Sequence, residues 1–141
     1  MVQSIRTNGF LTNLGPINQT GTIEKDWGRE IIFFSNYYCC IKHLVFDKLG
    51  SFGSLHYHKQ KDEYWIGLRG SFMVITIDEH NNINYEKLLK NSSIFIPKLV
   101  KHQLYTLEDD SAILELSSAD YKNDTYRILR SKVLFSHIGL K

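Results

Sequence analysis

His56 and His58 stand two residues apart in "SLHYHKQKDEYW", and Glu63 follows five residues after the second histidine. On a β-strand, side chains two apart share one face and lie about 6.6 Å apart along the chain, so two imidazoles there can converge on one ion. Tyr57 would face the other way. "KQKD" reads as a polar turn, after which the chain returns through "EYWIGL" and folds Glu63 back over the histidine pair. His102 heads the run "HQLYTL" and is the candidate ligand from a separate strand. Three histidines and a glutamate leave open positions on a five- or six-coordinate divalent ion (zinc, manganese, iron or nickel). Open positions are the condition for catalysis rather than for a closed structural site.

Short β-type runs must position these groups. "REIIFFS", "YCCIKHLVF", "SLHYH", "EYWIGL", "SFMVITID", "SSIFIP", "HQLYTL" and "AILELS" each end in turn-forming residues, such as "FSNYY", "EHNNIN" and "LEDDS". "YEKLLKN", after the "HNNIN" turn, reads as a returning strand. Many short strands at near-regular spacing predict an all-β sandwich or barrel. "SADYKNDTYRILRSKVLF" fits a loop, a strand or a short helix equally well. The predicted organisation is an N-terminal arm over residues 1–21, punctuated by glycine and proline, and one β-barrel domain over 22–141. Gly50 and Gly70 fall at strand boundaries where a tight turn calls for positive φ.

The 141 residues suffice for one well-filled core, and 43% hydrophobic content excludes a disordered chain. A formal charge of +2 with no basic stripe gives no case for nucleic acid. No apolar run is long enough to span a bilayer as a helix, and the N-terminus lacks the apolar core of a secretory signal. Cys39 and Cys40 are adjacent, which disfavours a mutual disulfide, so they read as reduced cysteines in a cytoplasmic protein. Tyr57, Tyr64, Ile66 and Leu68 fall on the face opposite the ligands, and that apolar exterior predicts a homodimer. The arm is expected to cross to the partner and pair with a sheet edge.

The frame Gly50, His56, His58, Glu63, Gly70, with Pro97 and His102 at the expected later separation, resembles the two motifs of the cupin superfamily. That resemblance implies a small double-stranded β-helix (jelly-roll) barrel with metal held by His56, His58, Glu63 and His102. Leu99 stands where the second motif usually has glycine. "EKDWGREIIFF", "IFIPKLVKH" and "NDTYRI" narrow the resemblance to the type II mannose-6-phosphate isomerase family, also found as the C-terminal part of bifunctional isomerase–guanylyltransferases. His56 replaces a glutamine often present there, and Gln103 replaces a basic residue. No Gly-rich phosphate loop accompanies the domain, so sugar-nucleotide synthesis is not expected.

The resemblance implies a metal-dependent sugar or sugar-phosphate isomerase or epimerase. Aldose–ketose chemistry moves a proton between adjacent carbons and needs a base. Glu63 could serve if loosely held, and His43 or Lys42 are alternatives, only one of which can face inward. Arg127 and Lys101 are candidate rim cations for an anionic substrate. An Fe(II) oxygenase and a non-catalytic sugar-binding cupin are the competing readings.

Overall fold

The computed structural model describes residues 20–129. They form β1 (Gly21–Lys25), β2 (Gly28–Ser35), β3 (Cys39–Phe46), β4 (Leu55–Tyr57), β5 (Glu63–Arg69), β6 (Ser71–Ile77), β7 (Ile83–Leu89), β8 (Ser93–Ile96), β9 (Lys101–Thr106), β10 (Ser111–Ser118) and β11 (Tyr126–Leu129). Two antiparallel sheets result, in the orders β1-β2-β3-β10-β5-β8 and β11-β4-β9-β6-β7. This is the expected all-β jelly roll. Each run singled out in the sequence lies in a strand, including "YEKLLKN", most of which forms β7. β1 is an addition to that reading, because all five of its residues are exposed and show no apolar alternation. The ambiguous late segment supplies β11. The arm and the last twelve residues of the expected domain lie outside the described residues, save Thr20 and Gly21.

Alternation drives the packing. In β3 and β10, Leu44, Phe46 and Ile113 turn inward, where they join Trp65, Phe72, Val74, Leu88, Ile96 and Leu104 between the sheets. Trp27 stacks on Phe46 with ring centroids 4.2 Å apart, and Phe72 meets Phe46 edge-on at 5.3 Å. Burying each such phenylalanine contributes about 1.5–3 kcal/mol.

The turns carry the chemistry their residues suggest. Asn36 Oδ1 accepts the backbone N–H groups of Tyr38 and Cys39 between β2 and β3. Asp78 Oδ1 accepts those of His80 and Asn82 between β6 and β7. Gly50 and Gly70 adopt φ of 84° and 65°, the left-handed region in which a Cβ is penalised. Cys39 and Cys40 are both free. Among the described residues no helix is long and apolar enough to cross a membrane.

Candidate metal centre

The antiparallel register brings the histidines together. His56 on β4 pairs directly with His102 on β9, and Arg127 on β11 pairs with His56 on its other side. Cross-strand partners share a sheet face, so these side chains form a row across the five-stranded sheet. His58 lies just beyond β4 on the same side. Ligand nitrogens of His56, His58 and His102 all fall within 4.8 Å of one another, so this three-histidine cluster could hold a metal ion.

The tautomers follow from the hydrogen bonds. Nδ1 of His56 lies 2.8 Å from the Ser54 carbonyl, that of His58 2.9 Å from the Asp124 carbonyl, and that of His102 2.9 Å from the Val100 carbonyl. A carbonyl only accepts, so each Nδ1 donates and each Nε2 is left as a lone pair. Nε2 of His58 and of His102 is buried and makes no hydrogen bond among the described residues. Burial, and then the neighbouring imidazoles, hold the His56 pKa well below its usual value; burial also lowers that of His102. Glu63 Oε1 nevertheless sits 2.8 Å from His58 Nε2, and Oε2 sits 3.6 Å from His102 Nε2. Lone pairs facing a carboxylate at that range repel unless a metal ion or a proton lies between them. The residues present therefore fit a divalent ion, with the second hydrogen bond of each imidazole fixing its orientation.

Glu63 itself is more engaged than the histidines. Trp65 Nε1–H donates to Oε2 at 2.8 Å, and Lys61 Nζ lies 3.2 Å from Oε1. Burial alone would raise the Glu63 pKa; the adjacent Lys61 ammonium, together with the His58 and His102 rings, outweighs it and holds the carboxyl well below its usual value.

Opposite the histidines, the six-stranded sheet presents an ionic wall. Lys42 Nζ lies 2.9 Å from Glu30 and 2.7 Å from Asp120, and Lys61 Nζ lies 3.3 Å from Asp120 and 3.7 Å from Glu115. Burial would lower both lysine pKa values, but the surrounding acidic groups outweigh that and hold both ammoniums charged. Four carboxylates, counting Glu63, thus share two buried ammoniums. A divalent cation on the facing histidines is the electrostatic complement of that excess. The inner cavity is about 150 Å³ and opens past Lys25, Trp27, Ser54 and Arg127 into an outer cleft of about 530 Å³.

The family model described as "FdtA: WxcM-like, C-terminal" matches residues 26–137. The chain belongs to the FdtA family. Its fold is shared by KdgF from Halomonas sp. (TM-score 0.63, 20% identity, covering 78% of this chain and 96% of that one). The capsular polysaccharide assembling protein CapF of Staphylococcus aureus is similar over 80% of this chain and 32% of its own (TM-score 0.69, 16% identity). A tryptophan-to-tyrosine variant of the oxalate decarboxylase of Bacillus subtilis is similar over 83% of this chain and 34% of its own (TM-score 0.68, 19% identity). This FdtA-family chain spans about a third of the latter two proteins. No curated protein sequence matches it significantly. The matches bear out the cupin fold without singling out the mannose-6-phosphate isomerase type.

Of the other residues singled out in the sequence, Lys42 and Arg127 line the cavity of this FdtA-family chain. His43 and Lys101 do not. His43 follows Lys42 on β3 and so points to the outer side of the sheet, 6.0 Å from the Phe33 ring. Lys101 precedes the inward-facing His102 on β9 and takes the opposite face. Gln103 also faces away from the histidines, and its Nε2 holds the Gly53 carbonyl at 2.9 Å.

Several groups at the site escape sequence reasoning. Lys61 hides in "KQKD", whose polarity reads as solvent exposure. Asp124 gives no signal in "KND", yet its carboxylate accepts the backbone N–H groups of Lys59 and Gln60 while its carbonyl orients His58. Glu115 and Trp65 carry a usable signal, since each is in phase with inward residues of its own strand.

Leu99 takes the left-handed conformation despite lacking glycine's freedom, at φ 73°, and its N–H donates to the His58 carbonyl at 2.7 Å. The side chain is 60% exposed. The strain of that conformation exceeds glycine's entropic cost, so Leu99→Gly is expected to stabilise the fold by about 0.5–1 kcal/mol. Thermal unfolding should show a midpoint raised by a few degrees, and a lowered midpoint would contradict this.

Proposed function

We propose that this protein is a sugar isomerase whose reaction centre is the cluster of His56, His58 and His102. The observation that carries this reading is the convergence of three imidazole lone pairs beside the Glu63 carboxylate at the inner end of the cavity. Family membership supports it, because FdtA-like cupins are isomerases of dTDP-linked sugars. A nucleotide-linked sugar has its anomeric carbon locked in the glycosidic bond. An isomerase of such a substrate must therefore shift a keto group within the ring, whereas a free sugar phosphate offers its own aldehyde. The narrow cavity suits the sugar, and Lys25 and Arg127 at its mouth suit an anionic attachment of either kind.

His56, His58 and His102 would hold one divalent ion, with Glu63 as the fourth ligand. When bound, such an ion supplies Lewis-acid polarisation of a sugar carbonyl. Lys61 and Trp65 would fix the Glu63 carboxylate, and the three backbone carbonyls would fix the rings. A second reading is favoured by how fully Glu63 is already engaged. There, an unprotonated Nε2 of the cluster takes the substrate C–H proton directly, as a general base. Metal analysis and exhaustive chelation of active protein separate the two. Loss of turnover that returns with added metal supports the first, and undiminished turnover in metal-free protein supports the second.

We also propose that the protein is a homodimer. Phe33, Tyr64, Leu68 and Phe95 are exposed, and Tyr64 stacks on Phe95 at 4.6 Å along the outer side of the six-stranded sheet. Such a surface calls for cover. Light scattering should give twice the 16.5 kDa chain mass, and the chain mass itself would contradict the proposal.

A further inference from the structure

Glu115 sits mid-strand in β10, in phase with the inward Ile113, and its cross-strand partners are Lys42 on β3 and Trp65 on β5. It lines the same cavity as His56 and His58 but from the opposite sheet. Of the four carboxylates on the ionic wall it is the most weakly paired. Asp120 is held at 2.7 and 3.3 Å by Lys42 and Lys61, Glu30 at 2.9 Å by Lys42, and Glu63 at 3.2 Å by Lys61 together with the Trp65 N–H. Among the described residues Glu115 is reached only by Lys61, at 3.7 Å. Four carboxylates share the two buried ammoniums, with the exposed Lys25 reaching only Glu30 at 3.6 Å, so this is the position where a bound proton costs least.

From this geometry we infer that Glu115 is the oxygen-side acid of the isomerisation, a carboxylic acid that faces the substrate across the cavity from the histidines. The inference rests on the isomerase reading above. In the first half of the reaction an unprotonated histidine Nε2, acting as the base of the second reading above, removes the C–H proton beside the carbonyl. The C–H electron pair becomes the C=C bond of an enediol, and the former carbonyl oxygen takes the Glu115 proton. In the second half the neighbouring hydroxyl returns a proton to the Glu115 carboxylate and becomes the new carbonyl, while the base protonates the first carbonyl carbon. The substrate as a whole is neither oxidised nor reduced, and no co-reactant is consumed. The charged groups around Glu115 shift it in that direction. Burial and the Glu63 charge raise its pKa above the usual carboxylate value, against the opposing pull of Lys61 and Lys42, with Glu30 adding to the rise.

Glu115→Gln mimics the neutral acid in shape but has no proton to give. In the full-length protein it is expected to leave the unfolding midpoint unchanged and to lower turnover by about 100-fold or more. The infrared spectrum of the wild type at neutral pH should contain the carbonyl stretch of a protonated carboxylic acid, absent from Glu115→Gln. Wild-type turnover by Glu115→Gln, or a wild-type spectrum without that band, overturns the inference. A wild type that isomerises neither a dTDP-linked keto-sugar nor a sugar phosphate removes the isomerase reading instead, and the catalytic role of Glu115 with it.

Discussion

Alanine in place of His58 or His102 is expected to reduce turnover by about 100-fold or more while the barrel remains folded. Each ring donates through Nδ1 to a backbone carbonyl and presents Nε2 to the cluster, so its removal deletes one of three converging lone pairs. Where the cluster binds metal, bound metal should fall in the same variants. The strands beneath are paired by backbone hydrogen bonds and stand on an apolar core that His102 meets at the edge of Trp65, 5.4 Å between ring centroids. Circular dichroism and metal analysis on the same samples check both halves. Full turnover by His102→Ala would place the reaction centre elsewhere.

The largest loss of stability is expected at Lys61 rather than at any histidine. The residue is 4% exposed, and its ammonium lies within 4 Å of Glu63, Glu115 and Asp120. Lys61→Met keeps the stem but strands those carboxylates without their shared counter-charge. Removing one partner from a buried ion pair typically costs about 3–5 kcal/mol, a large part of the roughly 5–15 kcal/mol that holds a domain folded. Adding Asp120→Asn to the same chain should recover part of the loss, because one of the stranded groups then carries no charge. Thermal unfolding of the single and double variants measures this, and an unchanged midpoint for Lys61→Met would show that the ionic wall contributes little.

What is legible in the sequence and what is not divide along physical lines. Period-two alternation exposes a strand whenever one face is buried, which is why β3, β5 and β10 are readable and the wholly exposed β1 is not; the mostly exposed β7 is read from the turn before it. The His56, His58, Glu63 spacing survives as geometry because one strand and one short turn carry it. Joining His102 to it requires knowing that β4 and β9 pair, which no local pattern states. The choice between Lys42 and His43 is likewise undecidable locally, since both neighbours on β3 are apolar; the register with β10 settles it, placing Lys42 opposite Glu115. Lys61 and Asp120 are invisible to such reasoning, because burial of a charge in a loop depends on partners far away in the chain. Leu99 shows the reverse case: a motif departure that suggests a different turn, where the tertiary hydrogen bond to His58 imposes the expected one.

The central claim is that this cavity moves a proton between adjacent carbons of a sugar. The most direct measurement is proton NMR of a dTDP-linked keto-sugar, and of a hexose phosphate, incubated in deuterium oxide under nitrogen with the purified protein. The account predicts that the proton beside the carbonyl of one of them exchanges for deuterium as an isomer accumulates, and that His58→Ala does neither. Folded wild-type protein that leaves every carbon-bound proton of both substrates in place would contradict it.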